Sequence, residues 1–175
     1  MTPAEPSRQP SPKKPEPSES DFADILFGHT PREDLAGLTP VDLKALMCRV
    51  AALESRLPVA LDESAPITVH ADPDQLEQLL INLVRNAVDA ALETRGSVRA
   101  GWSRASHMLE LWIEDEGPGL QNTANLFVPF FTTKAGGSGI GLTLSRQIAE
   151  AHGGSLVVDN RADRRGVRAM LRLPL

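Results

Sequence analysis

The sequence is poor in three features that would each point to a class of protein. It has one cysteine, Cys48, so no intrachain disulfide can form, and its apolar helical surroundings predict a small buried side chain rather than a nucleophile. Basic residues are outnumbered, 18 against 23 acidic ones, which argues against a nucleic-acid partner. No apolar run approaches the roughly 18 residues of a membrane span, and the N-terminus lacks the apolar core of a signal peptide. We therefore expect a cytoplasmic chain without a membrane segment.

The composition divides the chain into three parts. Residues 1–20 carry six prolines among Ser, Glu, Lys and Gln, and this mixture has too little apolar surface to offset the entropy of ordering. We expect this tail to be disordered. Residues 21–38 contain enough apolar side chains for a helical turn or two and are interpreted as a short linker or helical segment. Residues 39–175 are long enough for one globular domain with its own core.

Within residues 39–175 the apolar residues alternate between helical and strand spacing. Thr39 and Pro40 are typical of a helix start, and the apolar spacing predicts that this helix runs to about Arg56. Further helices are predicted over 73–92, capped by Asp72, and over 141–152. Strands are predicted over 58–61, 67–71, 98–102, 108–115, 155–159 and 167–173. This order predicts an α+β fold in which helices cover a mixed sheet.

The predicted helix 73–92 carries two adjacent stripes. The apolar stripe has the spacing of a core-facing helix and comprises Leu76, Leu79, Leu80, Leu83, Ala87 and Ala91. Asn82, Asn86 and Asp89 flank it at i, i+4 and i+7. Asn is a poor helix former because its side chain competes for backbone hydrogen bonds, so two of them in mid-helix need a reason. The stripe is either a solvated edge or a row of oxygens for hydrated Mg²⁺ and phosphates, since hard cations take oxygen ligands.

A carboxylate stands at the end of the predicted strand 108–115. Leu109, Leu111 and Ile113 alternate with Glu110, Trp112 and Glu114, and period two places Asp115 on the inward, apolar side. An inward carboxylate is costly unless a group donates to it, and a ligand amine is one candidate. Gly117 and Gly119 follow, where missing side chains allow a flat ring to approach the backbone. The simpler interpretation is an Asp-Gly turn that leaves a strand.

A glycine-rich segment leads directly into the predicted helix 141–152. It contains Gly137, Ser138, Gly139, Ile140, Gly141 and Leu142. Successive unhindered amides before a helix N-terminus can bind an anion, whereas the alternative is a flexible linker. The preceding run ends in Lys134, a point charge for phosphate or a solvated side chain. We expect Phe127, Phe130 and Phe131 of this run to anchor a mobile loop to the core.

These four segments, taken in order, resemble the nucleotide-binding boxes of sensor histidine kinases. They are Asn82-x-x-x-Asn86, Asp115-x-Gly117-x-Gly119, the Phe-Phe-Thr-Thr-Lys run ending at Lys134, and Gly137-x-Gly139-x-Gly141-Leu142. The resemblance implies a two-layer α/β sandwich, the Bergerat ATP-binding fold shared with gyrase-type and chaperone ATPases. It implies that ATP and Mg²⁺ are bound. By this resemblance Asn86 would hold Mg²⁺, and Asn82 and Asp89 would lie beside the phosphates. Asp115 would accept from the adenine amine, and Gly117 and Gly119 would line the base. The lid and the phosphate cradle would be formed by Thr133, Lys134 and the segment from Gly137 to Leu142.

The resemblance leaves three functions open. The first is transfer of the γ-phosphate to a histidine, with Asn82 and Lys134 in catalytic positions and with an acceptor-histidine domain and a response regulator as partners. None of His29, His70, His107 and His152 lies in an acceptor-like sequence. The second function is a regulatory ATP-binding module. The absence of an acceptor-like hairpin before Thr39 favours it, whereas the intact boxes and Lys134 favour phosphate transfer. The third, an ATPase, requires a water-activating Glu one helical turn before Asn86, and that position is Asn82. The same difference argues against an anti-sigma-factor serine kinase.

Overall fold

A computed structural model describes residues 37–121, 125–130 and 139–175. The predicted tail and all but the last two residues of the segment 21–38 lie outside these ranges, so the division of the N-terminal part stays a prediction. The elements, in chain order, are β1 (Thr39–Asp42), α1 (Leu43–Leu53), β2 (Val59–Leu61), β3 (Thr68–Ala71), α2 (Pro73–Thr94), β4 (Val98–Ala105), β5 (Met108–Asp115), α3 (Gly141–Ala151), β6 (Ser155–Asn160) and β7 (Val167–Pro174).

Five of these strands form one mixed sheet in the order β2-β4-β5-β7-β6. β2 pairs with β4 in parallel, and the other neighbours in the sheet are antiparallel. β1 and β3 form a separate antiparallel pair. The predicted α+β class with a mixed sheet is therefore confirmed.

The helices cover one face of the five-stranded sheet and give the described residues two layers. On that face Leu109, Leu111, Leu171 and Leu173 are at most 1% exposed. The apolar stripe of α2 is buried with them, as the spacing predicts. The opposite face carries polar side chains: Nε of Arg172 in β7 donates to Oε1 of Glu110 in β5 at 2.8 Å. In the part of the chain that is described, no helix is both long and apolar enough to cross a membrane.

The predicted helix start at Thr39 and Pro40 is wrong. Both residues lie in β1, where Thr39 stands opposite Ala71 and Pro40 opposite His70. The cap of α1 is Asp42, whose carboxylate accepts from the amide of Ala45 at 3.1 Å. A carboxylate that reaches an otherwise unpaired first-turn amide stabilises a helix start, so α1 begins at Leu43. The helix also ends earlier than predicted, at Leu53 instead of about Arg56.

The prediction that Cys48 is buried is also wrong, because its side chain is exposed. The buried residues of α1 are Leu43, Leu46, Met47 and Val50. Cys48 follows Met47 by one position, and one residue rotates the side chain by about 100° around the helix. The helical spacing therefore places it beside the apolar stripe and not on it.

His152 joins the end of α3 to the start of α2. Its Nε2 accepts from the amide of Asp72 at 3.0 Å, and its Nδ1 lies 2.8 Å from the carbonyl oxygen of Ile148. Since the Asp72 amide must donate, the imidazole is neutral with its proton on Nδ1. Asp72 is itself the cap of α2, and its carboxylate accepts from Asp74 and Gln75, each at 3.0 Å. The 7% exposed histidine thus supports the cap of the helix that carries the Asn stripe.

We expect His152→Leu to lower the free energy of unfolding by about 1–3 kcal/mol, because it leaves the Asp72 amide without its acceptor. Urea unfolding measures this loss. The matched control is His70→Leu, since His70 is exposed on β3, and its effect should stay within about 0.5 kcal/mol. Similar losses in both variants would contradict a specific role for His152.

Candidate functional site

Helix α2 presents the Asn stripe beside the buried face. Asp72 caps the helix and Pro73 occupies its first turn, which explains why α2 begins where the sequence predicts. Asn82, Asn86 and Asp89 are partly exposed, next to the fully buried Leu83. The predicted arrangement of two adjacent stripes is therefore confirmed, and it places three polar side chains at the rim of the core.

Asn82 lies beside the first residue of α3. Its Oδ1 accepts from Nε2 of Gln78 at 3.2 Å, whereas its Nδ2 is buried and has no hydrogen-bond partner among the described residues. A Cβ placed on Gly141 would lie 3.8 Å from Cγ of Asn82. The Asn stripe and the glycine-rich segment, far apart in the sequence, thus meet at this point.

Asp89 makes an ion pair at the other end of the stripe. Its Oδ1 accepts from Nη1 of Arg56 at 2.7 Å, and Nη2 of Arg56 lies 2.7 Å from Oε2 of Glu54. Arg56 lies in the connection between α1 and β2, beyond the end of the first helix. The side chain of Asp89 therefore fastens this connection to α2, and its role beside phosphates stays a prediction.

Asp115 is buried at the end of β5, with 4% of its surface exposed. Its Oδ1 accepts from the amide of Gly117 at 2.8 Å and from the amide of Val167 at 3.2 Å. The inward orientation that period two predicts is confirmed. The two backbone donors fix the rotation of the carboxylate, so the acid is held in one orientation at the end of the strand.

The segment after Asp115 is packed tightly against α2. A Cβ on Gly117 would lie 2.6 Å from the Cβ of Ala90, so only glycine permits this approach. Thr94 Oγ1 donates to the carbonyl oxygen of Glu116 at 2.7 Å. The carboxylate of Glu116 accepts from the amide of Ser97 at 3.1 Å and from its hydroxyl at 2.8 Å. These contacts hold the segment to the end of α2, and the sequence motifs gave no signal for Thr94 or Ser97.

Glu114 is buried although its position in the alternation predicts the outer, polar side. It is 5% exposed and accepts from Nε of Arg168 at 2.6 Å. Nη2 of Arg161, whose side chain is also 5% exposed, lies 3.3 Å from Glu114 Oε2. The connection between β6 and β7 covers this end of the outer face, so the carboxylate is buried with Arg161, whereas the side chain of Arg168 is 51% exposed. A buried charge requires such pairing, and none of it can be read from the period of β5 alone.

The prediction that three phenylalanines anchor the loop holds for one of the two described. Phe127 packs against the core, and the guanidinium carbon of Arg146 lies 5.1 Å from its ring centroid. Phe130 is 62% exposed, so an anchoring role for it is wrong. It has a positive φ of 63°, and its amide donates to the carbonyl oxygen of Gly139 at 3.1 Å. Phe131 lies outside the described residues.

The structure describes half of the residues that were predicted to form the lid and the phosphate cradle. Thr133, Lys134, Gly137 and Ser138 lie outside the described residues. Gly139 has a positive φ of 69°, Ile140 is the N-cap, and α3 begins at Gly141 with Leu142 packed against the core. Because the side chain of Ile140 has no acceptor, the amides of the first turn of α3 are not capped by it. The glycine segment therefore opens directly into a helix, as the sequence predicts.

Among the described residues there is no group of three or more His, Cys, Asp or Glu side chains that could hold a metal ion.

The two layers define an α/β sandwich in which the Asn stripe meets the start of α3 and Asp115 is buried at the end of β5. Residues 71–175 match the family model described as histidine kinase-, DNA gyrase B- and HSP90-like ATPases. The match covers more than half of the chain, and the chain belongs to this family.

Known proteins similar to this chain include sensor kinases. The sensor protein FixL of Bradyrhizobium diazoefficiens is 40% identical over 111 residues, which cover 61% of this chain and 22% of FixL. Full-length ShkA in complex with AMPPNP has a TM-score of 0.69 at 29% identity, covering 78% of this chain and 31% of ShkA. Histidine kinase ThkA in complex with response regulator protein TrrA has a TM-score of 0.65 at 27% identity, covering 78% of this chain and 41% of that chain. The chain thus spans about a fifth of FixL.

The contacts of Glu116 generate a prediction about pH. The hydroxyl of Ser97, followed by its amide, holds the pKa of the Glu116 carboxyl below its ordinary value. A carboxyl whose pKa is lower in the folded state stabilises the fold above the unfolded pKa, and the contribution is lost as pH falls through the folded pKa. We expect the melting temperature of Ser97→Ala to fall less steeply than that of the wild type between about pH 5 and pH 3. Ser103→Ala, at an exposed position of β4, is the control and should follow the wild type. Parallel curves for all three proteins would contradict the prediction.

Proposed function

We propose that this chain is the ATP-binding catalytic domain of a two-component sensor histidine kinase. In this proposal it transfers the γ-phosphate of ATP to a histidine supplied by another chain or by a segment that is not part of this sequence. The observation that carries the proposal is the buried Nδ2 of Asn82, which has no partner among the described residues. It belongs to a side chain whose Cγ would lie 3.8 Å from a Cβ on Gly141, the first residue of α3. A buried donor without an acceptor costs about 1–3 kcal/mol, and a phosphate oxygen at the helix N-terminus would remove that cost.

The base is assigned to the end of β5. Asp115 is buried, and two backbone amides orient its carboxylate, which would accept from the exocyclic amine of adenine. Gly117 and Gly119 would line the ring. The similarity to ShkA, whose structure contains AMPPNP, supports an adenine nucleotide as the ligand.

The metal and the phosphates are assigned to α2 and to the start of α3. Asn86 would hold Mg²⁺ through its amide oxygen, and phosphate oxygens would complete the coordination. Bound there, Mg²⁺ would neutralise charge on the triphosphate. Gly139, Ile140, Gly141 and Leu142 would contribute backbone amides. Thr133, Lys134, Gly137 and Ser138 would complete the lid and cradle, with Lys134 adding a positive charge.

The described histidines support an acceptor elsewhere. Both ring nitrogens of His152 are engaged, with Asp72 and Ile148, so this residue offers no free nucleophile. His70 lies on the short strand β3, and His107 lies in the turn between β4 and β5. The same observation allows a second function, a regulatory module that binds ATP without transfer. A response regulator as partner, suggested by the ThkA complex, and a cytoplasmic location belong to the first proposal.

The binding prediction uses Asp115→Asn. This change keeps an oxygen for the amides of Gly117 and Val167 and replaces the other oxygen by an amino group, which faces the adenine amine as donor against donor. We expect a loss of ATP affinity of about 1–3 kcal/mol or more, measured by calorimetry with a non-hydrolysable ATP analogue and Mg²⁺.

Asn86→Ala tests the metal end of the site in the same way, because Ala keeps the helix and removes the amide oxygen. It should weaken Mg²⁺-dependent ATP binding while adenosine binding stays close to that of the wild type. Equal losses for ATP and adenosine would mean that Asn86 supports the fold, and no binding at millimolar ATP by the wild type would refute the ATP site.

The transfer prediction separates the two functions. Incubated with labelled ATP, the chain should not form an acid-labile phosphohistidine on itself but should label a separately supplied acceptor-histidine domain of its cognate kinase. Gly139→Ala should slow this labelling by at least tenfold, because φ at Gly139 is positive and the added Cβ disturbs the amides at the start of α3. Lys134→Ala should slow it as well. Tight ATP binding without any labelling would favour the regulatory module. Self-labelling at His29 would contradict the interpretation that His29 does not lie in an acceptor-like sequence.

A further inference from the structure

Asn160, the last residue of β6, binds both backbone groups of a single residue in the segment after Asp115. Its Oδ1 accepts from the amide of Leu120 at 2.7 Å, and its Nδ2 donates to the carbonyl oxygen of Leu120 at 3.0 Å. A primary amide that pairs with both the donor and the acceptor of one residue fixes the position and the direction of that backbone.

Gly119 makes this approach possible. Its φ is +79°, a conformation that favours glycine, and a Cβ there would lie 2.9 Å from Oδ1 of Asn160. On the other side of the segment, Gly117 lies against Ala90 of α2. The segment that carries the two glycines is thus held between α2 and β6, and Pro118 between them is exposed.

The same side of the sheet also holds Asp115. Oδ1 of Asp115 accepts from the amide of Val167 in β7. A Cβ on Gly166 would collide with the backbone carbonyl oxygen of Asp115. The connection that joins β6 to β7 therefore begins at Asn160, which holds Leu120, and ends at residues that hold Asp115. One hairpin therefore contacts both Leu120 and the carboxylate of Asp115.

We propose that Asn160 is a positioning residue for the purine base. It fixes Gly119 and Leu120 relative to the carboxylate of Asp115, and so it determines how well the site distinguishes adenine from guanine. This inference rests on the proposed function, because it concerns the base end of that same site. Asn160 itself does not touch the base in this proposal and acts only through the backbone of the segment.

The first experiment uses the protein without ligand and is independent of ATP binding. Hydrogen exchange at the Leu120 amide, followed by NMR, should be protected in the wild type and faster by about tenfold or more in Asn160→Ala. Asp159→Ala, at the exposed neighbouring position of β6, is the matched control and should leave the Leu120 amide protected. Equal exchange in all three proteins would overturn the contact on which the inference depends.

The second experiment measures the affinities of Mg²⁺-ATP and Mg²⁺-GTP by competition against a fluorescent ATP analogue. In Asn160→Ala we expect ATP affinity to fall by about tenfold and GTP affinity to fall less, so that the preference for ATP shrinks. Asn160→Asp keeps the acceptor for the Leu120 amide but places a carboxylate oxygen against the Leu120 carbonyl, and it should reduce the preference as well. An unchanged ratio of the two affinities, with or without a lower melting temperature, would show a structural role only and overturn the inference.

Failure of the proposed function gives a different result. In that case the wild type binds neither nucleotide, whereas the Leu120 amide still loses protection in Asn160→Ala. If the wild type binds ATP and the ratio does not move in the variants, the ATP site stands and the role of Asn160 in base selection is refuted.

Discussion

The site depends on the burial of one face of α2 against the sheet. Leu76, Leu79, Leu80 and Leu83 are at most 2% exposed, and each buried leucine contributes about 2 kcal/mol relative to an exposed one. The ion pairs at the helix surface, such as Arg49 with Glu77, are exposed and worth about 0–1 kcal/mol each. The apolar face therefore sets the rotation of α2 about its axis. Because the Asn stripe adjoins that face, its direction follows from the core.

The ends of α2 are fixed by contacts with other elements. At its start, His152 supports the amide of the cap residue Asp72. At its end, Thr94 and Ser97 hold Glu116, which lies between Asp115 and Gly117. On the proposed function, the helix therefore connects the phosphate side, where Asn82 lies beside α3, to the base side at the end of β5. A site built on one helix and supported at both ends needs little rearrangement when a ligand enters.

Most of this core could be predicted from the sequence, because long periodic segments carry strong local signals. The apolar stripe and the Asp-Pro start predicted α2, and the alternation predicted β5 with Asp115 directed inward. The failures concern contacts between distant parts of the chain. β1 forms because Thr39 finds its partner at Ala71, and Glu114 is buried because the connection after β6 covers it. Asn160 gave no signal, because nothing near it in the sequence indicates that its amide pairs with Leu120. Thr133, Lys134, Gly137 and Ser138 stay predictions.

The residue one turn before Asn86 bears on the choice between hydrolysis and transfer. Asn82 presents a neutral amide whose oxygen already accepts from Gln78, so it offers no group that could take a proton from water. A carboxylate at this position would supply such a base and would favour attack by water. On the proposed function, the amide instead leaves the γ-phosphate intact until a neutral imidazole arrives, since imidazole attacks through a lone pair and needs no prior deprotonation. The same side chain that donates to phosphate would therefore also protect ATP from hydrolysis.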